Sequence, residues 1–302
     1  MKSTLFLNNI TCLDHGIIND SGHIFGGSYH VSCLVTGEVI GNEAVVIDFS
    51  KVKHQIKNII DDRETGYDHK LLIIPGFSLI TNSNLNDYFN SVNISTPTVQ
   101  LLLPINAIRH FNRIYRLSLE YTFQIELSDY ITKELSKLHP EINISVDVEI
   151  TSTMFIPERS KNMILFNYSH GLKNSSSWGC QNIAHGHHSF ITFKTKSRFS
   201  DLDHKSIISF LCNKSKPNVF IMKSNIIDDG ENSLTISYST ERGLFETTYL
   251  KDQYNLITLE TETTIEYIVE RFYEQYKQLL INSDIRTIYI SEGLAKGAAK
   301  SI

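Results

Sequence analysis

Within residues 166–194 (FNYSHGLKNSSSWGCQNIAHGHHSFITFK) lie His170, Cys180, His185, His187 and His188. His185 and His187 are two apart and lead into a strand-like run, and alternate residues of an extended strand point to the same side. Their imidazoles can therefore aim at one point, and His170, from the strand-like run before, can supply a third neutral nitrogen. Three protein ligands with the fourth position open describe a catalytic zinc site rather than a closed structural one. Cys180 stands just before the pair, behind Gly179 and a Ser-rich loop. A thiol near a cation ionises more readily and becomes a better base or nucleophile. On spacing alone, a polar turn with a surface histidine cluster is the competing reading.

The elements that must position these residues occur twice. In the second half, strands are predicted over 163–169 and 189–196, a helix runs from Phe199 to Leu211, and strands follow over 218–223 and 234–239. An amphipathic helix covers 264–280, capped by Thr263 or Thr264 and with Glu266 in its first turn. A strand over 285–291 leads to Glu292. In the first half, strands are predicted over 4–13, 28–35 and 44–48, with Asp14-His15-Gly16 and a Gly-rich turn after the first. A helix over 49–60 is capped by Ser50 and precedes Gly66-Tyr67-Asp68-His69-Lys70-Leu71-Leu72. Residues 74–127 interrupt the pattern with strand-like runs at 99–103 and 117–127, and read as an insertion. A helix over 128–138 with Ser128 as cap and a strand over 143–150 carrying Glu149 close the half. A repeat at half the chain length is a tandem duplication rather than a solenoid. The join falls near 151–160, dividing the chain into units 1–155 and 156–302.

Length and composition agree with two packed units. The chain has 302 residues, 41% of them hydrophobic, and a net charge of −5. That charge argues against a nucleic-acid partner, which calls for a basic face. No apolar run reaches the roughly 18–20 residues that span a bilayer, and the start, with one Lys and an Asn-broken apolar patch, does not read as a signal peptide. Cys12, Cys33, Cys180 and Cys212 lack the spacing of a disulfide framework, as expected of a reduced, cytoplasmic protein.

The motifs carry a resemblance. Phe166-x-x-x-His170, then Cys180, then His185-Gly186-His187 resembles the signature of the 6-pyruvoyl- and 6-carboxy-tetrahydropterin synthases. Val46-Ile47-Asp48-Phe49 and Tyr67-Asp68-His69-Lys70-Leu71-Leu72 are similar to that family's lead-in to its first helix and to its Asp-His motif. The resemblance implies an α+β tunnelling fold: tandem units, each a four-stranded antiparallel sheet with two helices on one face, assembling into a barrel. It also implies zinc on His170, His185 and His187, with Cys180, Asp68 and His69 moving protons. Glu292 would hold the pterin edge, with a contact from Thr264.

Placed on the two halves, these residues divide. The first half has His15 at the first zinc position but Phe25-Gly26-Gly27 in place of His-Gly-His, and no cysteine where the catalytic one belongs. His15, His23 and His30 read there as ordinary polar residues. The second half keeps the three histidines, Cys180 and Glu292, but Pro217-Asn218 falls opposite Asp68-His69. Asp203-His204 copies the motif inside the predicted helix, and Asp252-Gln253 offers another register. In the family the sites lie between subunits, so this chain is expected to pair a zinc face downstream with an Asp-His face upstream. The activity implied is a zinc-dependent lyase acting on 7,8-dihydroneopterin triphosphate or a close relative. The product branch stays open, because the Cys180–His185 spacing lies between those of the two synthases. The alternatives are a non-catalytic pterin- or purine-binding module, or a zinc hydrolase on a nucleotide-like substrate. A homo-oligomer, three tandem chains making a six-unit ring, is the implied assembly.

Overall fold

The computed structural model of the chain describes residues 1–40, 44–86, 90–111, 118–156, 163–195 and 216–302. β1 (Lys2–Ile18) and β2 (Ile24–Glu38) form a long antiparallel hairpin in which Asp14 faces Ser28 and His15 faces Gly27. The first strand thus runs past Leu13 and carries Asp14 and His15 on a rigid element. The 44–48 run contributes only a single bridge, Ile40 with Val45. Asp48 instead caps α1 (Phe49–Ile60): its carboxylate accepts the Lys51 N–H at 2.9 Å, displacing the expected Ser50 cap. Val52, Ile56 and Ile60, spaced four apart, give α1 its buried face.

β3 (Lys70–Ile73) returns parallel to β1. Three strands then leave this sheet: β4 (Asn82–Asn86), β5 (Ser91–Ser95) and β6 (Val99–Pro104). β7 (Ile108–His110) rejoins it, parallel to β3. α2 (Leu119–Leu138) starts at Ser118, whose Oγ accepts the Tyr121 N–H at 3.2 Å. The strand expected over 117–127 and the cap expected at Ser128 are thereby corrected. Phe123, Leu127, Ile131 and Leu135 share one helical face, and the β-like composition of 117–127 yields to that burial. Ser128, mid-helix, donates to Gln124 O at 2.8 Å and accepts from the Val148 N–H at 2.9 Å. β8 (Ser145–Thr151) completes a sheet ordered β7-β3-β1-β2-β8.

The second half repeats this order. β9 (Ile164–Ser169) and β10 (Gly186–Thr195) are antiparallel, and β11 (Asn218–Met222) runs parallel to β9. Three strands again depart: β12 (Ile226–Asp229), β13 (Ser233–Thr240) and β14 (Gly243–Leu250). β15 (Asn255–Leu259), α3 (Ile265–Asn282), β16 (Ile285–Glu292) and β17 (Lys296–Ser301) follow, giving the sheet β15-β11-β9-β10-β16-β17. The fold is α+β, but four antiparallel strands per unit is corrected to mixed sheets of five and six. The return strands β3 and β11 lie parallel to β1 and β9, and β7 and β15 extend that parallel edge. The helix expected from Phe199, with Asp203-His204, and Cys212 lie outside the described residues.

The departing strands of both halves meet. β14 pairs antiparallel with β6, making a third sheet ordered β12-β13-β14-β6-β5-β4. The insertion read in the first half therefore has a counterpart in the second, and the two close on each other. Three cores result. One belongs to the first half and one to the second. The third joins Ile18, Ile24, Leu71 and Ile73 of the first sheet, Val219 and Ile221 of the second, and the inner face of the third sheet. β3 and β11 are buried on both sides: Leu72 and Phe220 face the cores of their own halves, while their sequence neighbours face the shared one. Such two-sided burial gives the unbroken apolar runs typical of parallel strands.

Candidate metal and thiol site

His170 follows β9, and His185 and His187 flank the first residue of β10. All three are fully buried (0% exposed), and their ligating nitrogens lie within 4.8 Å of one another. Each Nδ1 faces an oxygen, and two of the three donate to it. His170 donates to Thr263 O at 2.8 Å, His185 to Asn182 O, and His187 Nδ1 lies 3.1 Å from Asp14 Oδ1. A neutral imidazole with its proton on Nδ1 presents Nε2 as a bare lone pair. His170 Nε2 and His187 Nε2 face each other at 3.1 Å, and His185 Nε2 is buried without a partner. Lone pairs so arranged call for a cation between them, and three nitrogens with oriented outer partners suit zinc. Burial, helped by the neighbouring His187, pushes His170 down to about 4. Burial and the neighbouring imidazoles hold His185 well below its usual value. Both shifts favour the neutral ring that can ligate a metal.

The Asp-His pair comes from the other half. Asp68 and His69 sit between α1 and β3, with His69 in the left-handed region (φ 54°). His69 Nδ1 lies 2.6 Å from Asp68 Oδ2, and its Nε2 lies 3.7 Å from Cys180 Sγ. The His69 ring is also 4.8 Å, centroid to centroid, from that of His185. Burial opposes a charged His69, but the Asp68 carboxylate outweighs it and, with Cys180, holds the ring well above its ordinary value. Burial likewise opposes the Cys180 thiolate, yet the hydrogen bond and charge of His69 bring the thiol below its usual value. Both shifts favour a thiolate–imidazolium pair, with the Asp68 carboxylate behind it.

Asp14, which sequence reasoning passed over, links the two groups. It is buried (2% exposed). Its backbone N–H donates to Asp68 Oδ1 at 2.9 Å, its carbonyl accepts the His69 N–H at 2.6 Å, and its carboxylate faces His187. Ser28 Oγ donates to the same carboxylate at 2.5 Å. Burial would raise the Asp14 carboxyl, but His187 beside it holds it far below the ordinary range. The letters Asp14-His15 were its only signal. Asn182, also missed, is fully buried; its Nδ2 donates to His69 O and to Ala107 O, both at 3.1 Å, while its own carbonyl holds His185.

Two glycine positions allow this approach. A Cβ on Gly186 would lie 2.0 Å from Tyr168 O and 2.8 Å from the Gly26 Cα, so the glycine between the histidines is where strands of the two halves cross. A Cβ on Gly179 would lie 2.5 Å from His69 Cγ, so the residue before Cys180 must be small for the relay to reach the thiol.

Glu292 ends β16 with Oε1 3.9 Å from His170 Nε2 and 4.0 Å from His187 Nε2, and Lys296 Nζ lies 3.5 Å from its other oxygen. Burial would raise its carboxyl, but His187, His170 and Lys296 lower it. Thr264 is the N-cap residue of α3, without a side-chain cap hydrogen bond, next to the Thr263 carbonyl that orients His170.

The corresponding place in the first half holds no such cluster among the described residues. His15 is buried, stacked on Tyr29 with ring centroids 5.4 Å apart, and neither ring nitrogen has a partner. The polar role expected of it is corrected to that of a packed ring. His23 instead bonds Gln253 at 3.2 Å, which places the Asp252-Gln253 register against the hairpin turn of the first half. Glu149 is exposed, opposite Ser32. Cys12 and Cys33 are free, and burial pushes both thiols up to about 12.

No family model matches the sequence, and no curated protein does. Solved structures do match. Two catalytic-residue mutants of 6-pyruvoyltetrahydropterin synthase from Plasmodium vivax are 16% identical over 49% of this chain and 91% of theirs, with TM-scores of 0.37 and 0.36. The Plasmodium falciparum 6-pyruvoyl tetrahydropterin synthase is 17% identical over 50% of this chain and 96% of its own, with a TM-score of 0.35. The chain is thus similar to these synthases over about half of its length.

Proposed function

We propose that the chain is a zinc-dependent lyase of the pterin-synthase type, acting on 7,8-dihydroneopterin triphosphate or a close relative to give a 6-substituted tetrahydropterin. The observation that carries this reading is the relay Asp68–His69–Cys180, built from both halves and set against three buried histidines with converging Nε2 atoms. His170, His185 and His187 would hold zinc, which as a Lewis acid makes C–H and O–H bonds beside a bound side-chain oxygen more acidic. Cys180, kept as thiolate by His69, takes a proton from a substrate carbon. His69, oriented by Asp68, delivers or removes the second proton at oxygen or carbon. Glu292 accepts from the amino and ring N–H groups of the pterin, with Thr264 beside it. The units are residues 1–155 and 156–302, the first giving the relay and the second the metal and thiol.

On this reading three tandem chains close a barrel-forming ring, and the free thiolate suits a reducing, cytoplasmic compartment. No helix among the described residues is long and apolar enough to cross a membrane. The test is Cys180→Ala, assayed separately for turnover and for zinc. Loss of turnover with metal retained supports the lyase. Unchanged turnover refutes the role of the thiol, and triphosphate release with the pterin side chain intact would mark a hydrolase.

A further inference from the structure

We propose that the hairpin of β13 and β14 is a positioning device for Cys180, with Arg242 and Tyr238 as its working residues. The inference rests on Cys180 being the base of the site. Cys180 lies in a three-residue 3₁₀ turn, Gly179–Gln181, too short to hold its own geometry. The hairpin holds it from outside. Arg242, at the hairpin turn, is buried (6% exposed). Its Nη1 donates to Trp178 O at 3.0 Å and Gly179 O at 3.2 Å. Its Nη2 donates to Asn106 O at 2.9 Å and its Nε to Asn106 Oδ1 at 3.4 Å. The guanidinium also lies over the rings of Trp178 and Phe245. From the same hairpin, Tyr238 donates its hydroxyl to Gln181 O at 2.7 Å.

The carbonyls of residues 178, 179 and 181 thus all accept from one hairpin, and the Cys180 carbonyl accepts the Leu172 N–H at 2.8 Å. Lys70, the residue after His69, donates to the same Asn106 carbonyl from the other side. The clamp therefore fixes the thiol loop and the His69 segment against one common point. A guanidinium is costly to bury, and a rigid fork that serves several oxygens in fixed directions is what offsets that cost. The strands that carry it come from the segment between β11 and β15, outside the repeated sheet order. The paired insertions thereby gain a function, since the third sheet anchors Arg242 and Tyr238, and these set the Cys180–His69 distance.

The experiment uses the full chain with Arg242→Gln, Arg242→Lys and Tyr238→Phe. Iodoacetamide labelling of Cys180 at neutral pH is followed by peptide mass mapping, with the urea-unfolded chain as reference, alongside zinc content, melting temperature, kcat and KM on 7,8-dihydroneopterin triphosphate. Arg242→Gln is expected to slow Cys180 labelling about tenfold relative to the parent and to lower kcat by about 10–100-fold, as displacing a catalytic group by an ångström does. KM and zinc content stay near those of the parent. Arg242→Lys recovers part of the loss, and Tyr238→Phe, which keeps the ring, shows a smaller loss of the same kind. Variants that melt lower but label and turn over like the parent would reduce the hairpin to a structural prop and overturn the proposal. A parent that turns over no pterin, yet whose Cys180 labelling still depends on Arg242, would support the clamp while overturning the substrate assignment.

Discussion

Replacing Asp14 tests whether the first half helps to hold a metal on the three histidines of the second. Asp14 is buried, its Oδ1 is 3.1 Å from His187 Nδ1, and Ser28 donates to it at 2.5 Å. Asp14→Asn can keep an oxygen toward His187 but loses the charge. A hydrogen bond to a charged group contributes about 1.5–3 kcal/mol and a neutral one about 0.5–1.5 kcal/mol, so the expected loss is about 1 kcal/mol or slightly more. Asp14→Ala removes the carboxylate altogether from beside the buried His187 Nδ1, a further cost of about 1 kcal/mol. In zinc affinity this is about five- to tenfold for Asn and about 30-fold or more for Ala, where outer-shell partners of metal-bound histidines typically cost about 10–100-fold. Competition with a chromophoric chelator at fixed pH measures it directly, and a shift of the visible bands of the cobalt-loaded protein reports the reorientation of His187. Equal affinity in all three proteins would show that the Asp14 carboxylate does not orient the ligand, and would remove the metal half of the link between the two repeats.

Two further outcomes follow from the same geometry. His69→Gln removes the partner that lowers the Cys180 thiol, so the pH at which Cys180 becomes reactive to iodoacetamide rises toward that of an ordinary cysteine; an unmoved profile would deny the ion pair. His15 is held down to about 4 by burial, against 6.5 for an ordinary ring. The unfolded chain thus takes up a proton below about pH 6.5 that the folded chain refuses until about pH 4, and stability falls as pH drops through that window. His15→Leu, probed by urea unfolding of the metal-free protein, should flatten that acid limb by an amount on the order of 1–3 kcal/mol, and an unchanged limb would deny the burial argument.

The clustering of His170, His185 and His187, with Cys180 and the Asp68-His69 pair nearby, was legible because its signals are local: two-residue strand spacing, a thiol in a tight loop, a dipeptide before an apolar run. The duplication was legible for the same reason, since the order of elements repeats in the letters. What stayed hidden depends on contacts between segments far apart in the chain. Asp14 looks like a strand residue until β1 is seen against His187. Asn182 and Arg242 act through carbonyls, which no side-chain spacing reveals. The 117–127 run has a β-like composition, and only packing of Phe123 and Leu127 into the first core decides for helix. The third sheet was readable as strands at 99–103 and 234–239, but the β6–β14 pairing that joins the halves was not.

The central claim is that one chain supplies both the relay and the metal–thiol half of a single site. Co-expressing two differently tagged chains, one with Cys180→Ala and one with His69→Gln, tests it most directly once mixed oligomers have been isolated. Because His69 and Cys180 of the same chain lie 3.7 Å apart, the mixed oligomers should be as inactive as either variant alone. Recovery of turnover in them would mean that the working site forms between chains, and would contradict the account.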